Sequence, residues 1–585
     1  MNQDFFSKFS NRKAFHLQKK KEWKRKFYVL GAMRLSMVLA VVYGLYTILY
    51  SKQVYPMLYL VIFEVLVFMS LLWWTSEVKR HLNYHDNGQR FFENELGLLS
   101  GKENKIFNNG AEGEKAGFSM DLDLQGEGSL FHRLNRTVTP AGQKSLLKRF
   151  SLEGVSEELI HQRQSEISAL AQKPEWLEAF LLEGMAEDLH QAGSLQVDLP
   201  KAEKPLNNFW KYFSFIWPIL GVAGVLQYLL FDQSQVFGLV FLGSWIVTGL
   251  FSKDLSACFY FLSEKVSLYY RYSRMMRLLH HLEGDAILAS KIEGFSAGEK
   301  VLNQLRSISG IANQRMNALA YFIFNSIFVL DLQWYVRLRK WEGTHQATFN
   351  AQMKLLGEID ALVSLAWWQY LHPHFKPMEI SNDALVIKAL GHPLLSEEVC
   401  VKNDWTLDKE NRLVLITGSN MAGKSTFLRA LGVNMVLGQL GTVVNATKFE
   451  MPCWQLLSSL RHDDSLHENT SYFYAELLKL KSVVEQAEKK PALILLDEIL
   501  RGTNNDDKFE GAARIIERLR NHAGLTVLAT HDTALCQRFH GRKDIVHFCF
   551  ESQIAGGELS FDYKIRSGQA KNKNATFLME KLGIV

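Results

Sequence analysis

The stretch ITGSNMAGKSTFLRALG, Ile416 to Gly432, is the most informative local signal in this chain of 585 residues. It is entered from Arg412-Leu-Val-Leu-Ile-Thr417, an apolar run that reads as a buried strand, and Gly418 to Ser425 fit the pattern GxxxxGK[ST]. The spacing has a physical reason. Glycines let successive backbone N–H groups wrap a polyphosphate, and a helix beginning near Gly423 aims its positive end at the same charge. Lys424 then reaches the β- and γ-phosphates, and Ser425 offers its hydroxyl to Mg²⁺. The expected nucleotide-binding set is Gly418, Ser419, Asn420, Met421, Ala422, Gly423, Lys424, Ser425 and Thr426, with ATP and Mg²⁺ as cofactors.

Two further strands complete the expectation. Ala492-Leu-Ile-Leu-Leu496 is apolar enough to lie inside a sheet, so Asp497 and Glu498 emerge at its C-terminal edge beside the phosphate loop. Asp497 is the expected partner of Mg²⁺ together with Ser425, and Glu498 the base that orients the attacking water. Leu525-Thr-Val-Leu-Ala529 ends in Thr530-His531-Asp532. His531 there is placed to hydrogen-bond the γ-phosphate or the water and joins Glu498 and Lys424 as a catalytic candidate.

Working outward, residues 376–585 alternate short β-rich runs with helices, as an α/β domain does. The N-terminal half is different. Val29–Tyr50 and Met57–Trp74 are joined by SKQVYP, and Phe209–Phe231 and Val236–Phe251 by DQSQ. Runs of this length suit a bilayer core of about 30 Å, so both pairs read as transmembrane helical hairpins. Lys19-Lys20-Lys21 and Lys24-Arg25-Lys26 precede the first hairpin, and Lys79, Arg80 and Arg90 follow it, whereas the two connecting turns hold only Lys52. The positive-inside tendency therefore puts both termini and the middle segment on the cytoplasmic side of an inner or plasma membrane. Arg34 and Glu64 lie within the first pair, where charge is costly; Arg34 is placed to snorkel or to meet Glu64 across the hairpin.

The remaining segments are a basic tail over 1–28, a linker over 76–118, a helical core over 119–208 and a second helical part over 253–375. The net charge of +5 is small for this length, so only local clusters speak for an acidic partner. Arg271, Arg274, Arg277, Arg337, Arg339 and Lys340 interleave with aromatic residues in YYRYSRMMRLLHH and WYVRLRKWE. Such stretches neutralise phosphates and stack on bases, or form the wetted faces of amphipathic helices. Five scattered cysteines without CxxC spacing argue for a reducing compartment and against a zinc site or disulfide framework.

TGSNMAGKSTFLRALGVNMVLGQLGTVVNA, LLDEILRGTNNDD, LATHD and FDYKIRSGQAKNKNATFLMEKLGI together resemble the nucleotide-binding segment of the MutS family of DNA mismatch-repair ATPases. GHPLL at Gly391–Leu395 resembles that family's entry to its ATPase domain, and Ser129 to Leu170 the start of its helical core. The resemblance implies a multidomain α and α/β protein with a helical core and lever and a C-terminal ABC-like ATPase. It also implies a homodimer in which each site is completed by the partner's signature loop, here His467 to Glu476, with Ser471 facing the partner's γ-phosphate. Asn469 stands where the family usually has glycine, and Tyr472 where it has threonine. The family's N-terminal mismatch reader inserts a Phe-x-Glu wedge. Phe91-Phe92-Glu93 matches its letters, but with no globular domain around it this triplet reads as a helix end after the hairpin.

The resulting expectation is a membrane-anchored ATPase that dimerises on ATP and binds mismatched, damaged or branched DNA in a repair-related role. An ABC-type transporter subunit would also join membrane helices to such an ATPase. It needs an LSGGQ-like signature before the second acidic strand, and SGQ occurs only at Ser567–Gln569, after His531. A membrane scaffold or sensor that uses ATP without nucleic acid is the third reading.

Overall fold

The computed structural model describes residues 2–50, 54–113, 116–185, 199–203, 206–231, 233–292, 295–313, 318–382, 384–419, 421–460, 472–500, 504–555 and 558–570. Its helices are α1 (Asn2–Tyr50), α2 (Val54–Leu99), α3 (Leu130–Leu134), α4 (Pro140–Phe150), α5 (Glu157–Ala171), α6 (Pro174–Gly184), α7 (Asn208–Phe231), α8 (Gln235–Leu250), α9 (Ser252–Leu279), α10 (Ala289–Ile292), α11 (Phe295–Asn313), α12 (Ala318–Phe328), α13 (Leu330–Leu371), α14 (Lys424–Gln439), α15 (Tyr472–Ala487), α16 (Asn505–Arg520) and α17 (Thr533–Arg538). Its strands are β1 (Lys376–Pro377), β2 (Glu379–Ile380), β3 (Ala384–Leu390), β4 (Asn403–Asp408), β5 (Leu413–Gly418), β6 (Val443–Val444), β7 (Lys448–Met451), β8 (Gln455–Ser459), β9 (Ala492–Asp497), β10 (Leu525–Thr530), β11 (Ile545–Ala555) and β12 (Glu558–Ser567). The chain divides into two compact units. One comprises Met1–Thr137, Gln143–Leu177 and Ala361–Val585, the other Val138–Gly142 and Glu178–Asp360.

The first unit is organised by a six-stranded sheet of order β12-β11-β5-β10-β9-β8. Strands β11, β5, β10, β9 and β8 pair in parallel, and β12 runs antiparallel at the edge. Every residue of β5, β9 and β10 is buried, which is why all three read as unbroken apolar runs rather than alternating ones. Ile494, Leu496 and Leu528 meet Leu480 and Val484 of α15 and Ile516 and Leu519 of α16 in one core. Helix α14 is buried nearly all round, and a Cβ on Gly432 would stand 2.8 Å from Leu122 and 3.0 Å from Leu495.

Helices α1 and α2 form an antiparallel pair that is longer than expected. The 76–118 linker begins only after Leu99, because α2 continues through Gly88 and Gly97. Gly88 is a point of close approach rather than a breaker: a Cβ there would lie 2.3 Å from His16 Nδ1. Phe91 and Phe92 are therefore interior to α2 and fully buried, packed against Trp367 and Phe9, and not at a helix end. The pairing of Arg34 with Glu64 does not form; Arg34 Nε and Glu64 Oε2 are each enclosed without a hydrogen-bond partner. The register explains this. Trp23 stacks on His81, so equal rise along both helices sets Arg34 level with Ser70, about six residues or ~9 Å from Glu64.

Toward its other end the pair turns apolar side chains outward, among them Leu35, Leu39, Tyr43, Phe63, Leu66 and Trp73. Two helical segments among the described residues are long and apolar enough to cross a membrane, Asp4–Gly44 and Asn208–Tyr228. A third arises if Gln235–Leu250 and Ser252–Leu262, bent by 69°, count as one span.

In the second unit α7, α8 and α12 pack with polarity reversed. Trp217 Nε1 donates to Ser244 Oγ at 2.8 Å, Ser244 Oγ to Ser326 O at 2.8 Å, Trp245 Nε1 to Ser326 Oγ at 2.9 Å and Asn325 Nδ2 to Thr248 Oγ1 at 3.0 Å. Phe215, Ile219, Leu239, Ile246, Phe322 and Phe324 face outward. Sequence reading placed α12 in the second helical part, 253–375, without singling it out. The arm cations are largely spoken for. Arg271 donates to Gly184 O, Arg274 pairs with Glu183, and Arg339 holds Glu342 and Pro200 O; Arg277 lies 3.6 Å from Glu299, and Arg337 and Lys340 are exposed.

His372, in the first unit, donates from Nδ1 to Trp368 O at 2.8 Å and stacks on Phe375. Burial pushes its imidazole down to about 4. The folded form thus keeps it neutral while the unfolded chain takes up a proton below about 6.5. Stability is full above that pH and falls as pH drops toward 4. The apparent melting temperature should decline by a few degrees across this window, and less steeply in His372→Gln; equal slopes would remove His372 from the cause.

Candidate functional site

The loop between β5 and α14 has the backbone its glycines require. Gly423 sits at φ +106° and Gly418 at φ +154°, where a Cβ would approach Phe550 O to 2.7 Å. Met421 adopts φ +69° at the exposed tip, and Ala422 is buried behind it. Lys424 begins α14, and its Nζ donates to Gly418 O at 2.7 Å and Ser419 O at 3.0 Å, so the ammonium curls back under its own loop. Ser425 and Thr426 follow in the first turn.

Sheet order decides what joins this loop. Strand β10 lies between β5 and β9, with Thr530 opposite Thr417 and Ala529 opposite Asp497. The ends of the three strands are thereby level. Ser425 Oγ donates to Asp497 Oδ2 at 2.5 Å. Glu498 Oε1 lies 3.2 Å from His531 Nδ1, with Glu498 nearly buried and His531 half exposed. The backbone N–H of Glu498 is held by Ala529 O at 2.9 Å. Lys424, Ser425, Asp497, Glu498 and His531, separated by up to 107 positions (531 − 424), are thus brought to one edge. Asn420 and Ser471 fall outside the described residues.

Of these groups Lys424, Ser425 and Glu498 border a cavity of about 630 Å³ whose lining also includes Ser419, Met421, Gly423 and Thr426. His392, Leu395, Val399, Asn403, Phe427, Phe550 and Tyr563 line it too, and sequence reasoning assigned none of these to the site. His392 and Leu395 belong to the quoted GHPLL and Tyr563 to the quoted FDYKIRSG, so a signal was present; Phe550 carried none. Burial, with help from the Arg429 charge, pushes the His392 imidazole down to about 4, so it meets a ligand as an uncharged ring. The cavity therefore combines the Lys424 ammonium and the loop backbone with the rings of Phe427, Phe550 and Tyr563. That combination suits a nucleotide, which offers both phosphates and a base.

The oxygen donors of Ser425 and Asp497, already in contact, are the hard ligands that Mg²⁺ prefers. The residues fit that ion. Among the described residues no group of three or more His, Cys, Asp or Glu side chains is placed to hold a metal by itself.

Residues 414–580 match the MutS domain V family. The chain is 32% identical over 249 residues to the DNA mismatch repair protein MutS of Staphylococcus haemolyticus, covering 41% of this chain and 28% of that protein. It is 30% identical over 247 residues to the DNA mismatch repair protein MutS of Geobacillus sp. (strain WCH70), covering 41% and 29%. Against the DNA mismatch repair protein MutS 2 of Halobacterium salinarum it is 30% identical over 245 residues, covering 41% and 28%. The chain spans less than a third of the length of these curated relatives. The segment that builds the site is thus similar to MutS domain V.

Proposed function

We propose that this chain is a membrane-anchored MutS-type ATPase that binds and hydrolyses ATP with Mg²⁺ as a homodimer and binds mismatched, damaged or branched DNA. The observation that carries the ATPase reading is the assembly of Lys424, Ser425–Asp497 and Glu498–His531 on one sheet edge, beside a cavity lined in part by aromatic rings. Lys424 meets the β- and γ-phosphates, and the loop N–H groups hold their oxygens. Glu498 accepts a proton from the water that attacks the γ-phosphorus, and the bond to the β–γ bridging oxygen breaks. His531 keeps the Glu498 carboxylate aimed at that water. Ser425 and Asp497 hold Mg²⁺, which when bound offsets phosphate charge. In a dimer the partner's Ser471 closes each site, so binding draws the ATPase domains together and hydrolysis releases them.

The membrane reading rests on the outward apolar faces of α1, α2, α7 and α8, and on the inward hydrogen bonds of α7, α8 and α12. Buried polar groups under an apolar exterior are what a lipid solvent selects. The ATPase then lies on the cytoplasmic face of an inner or plasma membrane, the side that holds ATP. Full-length protein should float with vesicles in a density gradient and resist carbonate extraction; release by carbonate would end that assignment.

DNA binding comes from the resemblance and from the relatives' names. A specific observation favours a second reading, a membrane scaffold or sensor without nucleic acid: Arg271, Arg274 and Arg339 are occupied by internal partners. If DNA is the ligand, affinity for branched or mismatched duplex should fall with salt at a log–log slope of about −0.9 per neutralised phosphate. The double change Arg337→Glu and Lys340→Glu should weaken it at least about tenfold. No binding at low salt leaves the scaffold.

A further inference from the structure

The chain leaves β9 through a turn that its residue types do not favour. Glu498 has φ +48° and Leu500 φ +61°, left-handed conformations that side-chain-bearing residues keep only when their surroundings hold them. Three anchors do so. The Glu498 N–H donates to Ala529 O at 2.9 Å. The Leu500 side chain fills space that Gly511 leaves open, where a Cβ would stand 2.7 Å from Leu500 Cδ1. The Leu500 N–H donates to Glu476 Oε1 at 2.6 Å.

The last anchor is the informative one. Glu476 is only 7% exposed, its Oε1 is engaged by Leu500, and its Oε2 is enclosed with no hydrogen-bond partner. Burying a carboxylate this sparingly solvated is costly, and packing alone would be served by an apolar side chain. What a carboxylate supplies here is a strong acceptor for one backbone N–H. That N–H lies two residues beyond Glu498, inside the turn that aims it. Glu476 sits in the second turn of α15, whose first residue is Tyr472.

We infer that Glu476 is a positioning residue for hydrolysis: it fixes the turn that presents Glu498 to the water, and it ties that turn to α15. The inference rests on Glu498 being the group that orients water, as proposed above. It also deepens that reading. Ser471, assigned to the partner's γ-phosphate, directly precedes Tyr472, the first residue of α15, so the helix that begins at that residue also carries the Glu476 bond to the turn of Glu498.

The test uses the full-length protein with MgATP and two variants, Glu476→Ala and Glu476→Gln. Glutamine keeps an oxygen where Oε1 stands and so keeps the bond; alanine removes it. Glu476→Ala should lower kcat by at least about tenfold, with KM and the Kd of a non-hydrolysable ATP analogue within about twofold of wild type. Glu476→Gln should recover kcat to within about threefold. Alanine without effect on kcat overturns the inference. So does equal loss in both variants, or a fall in kcat that only tracks the fraction of protein still folded. A wild-type chain without MgATP turnover would instead overturn the ATPase reading itself, which separates the two failures.

Discussion

Glu498→Gln should retain MgATP affinity and lose turnover by about 10²–10⁴-fold, the usual contribution of a positioned general base. The carboxamide is nearly isosteric, so the contact with His531 and the backbone bond to Ala529 O both survive. What disappears is the ability to accept a proton from water. Because binding persists while cleavage stops, nucleotide should accumulate in the closed dimer. Size-exclusion chromatography with light scattering should therefore show MgATP-dependent dimers that persist in the variant and decay in wild type. Unchanged turnover would take Glu498 out of its assigned role, and turnover lost together with affinity would mark it as a binding residue.

Lys424→Ala should act one step earlier. Its Nζ lies beneath the loop, bonded to Gly418 O and Ser419 O, in the position from which it meets phosphate. Removing it takes away a charge-assisted contact and a tie on the loop's own backbone. Truncating one partner of such a pair costs about 2–5 kcal/mol, so affinity for ATP should drop by roughly 30- to 5,000-fold. Equilibrium binding of a fluorescent ATP analogue would measure it. Near-normal affinity would show that the backbone amides alone hold the phosphates. The two variants separate cleanly: one binds without cutting, the other does neither.

Much of this site was legible because its constraints are local. A glycine pattern between an apolar strand and a helix leaves few conformations, and acidic or histidine residues directly after buried strands have one place to go. Phe550 was not legible. It reaches the cavity from β11, and its pairing with Gly418 joins residues more than a hundred positions apart. The same holds for Glu476 and Leu500, 24 positions apart with no periodicity to connect them. In the helical regions the difficulty was opposite. Residues 76–118 read as a linker, although α2 runs on to Leu99 and Gly88 is where it admits the His16 ring. Arg271, Arg274 and Arg339 read as a basic stretch, although their charges are met internally, which only the tertiary neighbours reveal.

The stitched contacts among Trp217, Ser244, Trp245, Thr248, Asn325 and Ser326 have a mechanical corollary. Under the proposed membrane reading there is no water to replace a broken hydrogen bond, so sliding these helices past one another would strand several polar groups at once. They would then tilt or rotate together, like a keel rather than a bundle of loose spars. Force arriving at either end of this assembly would, on that proposal, be spent on the surrounding lipid and not on its interior.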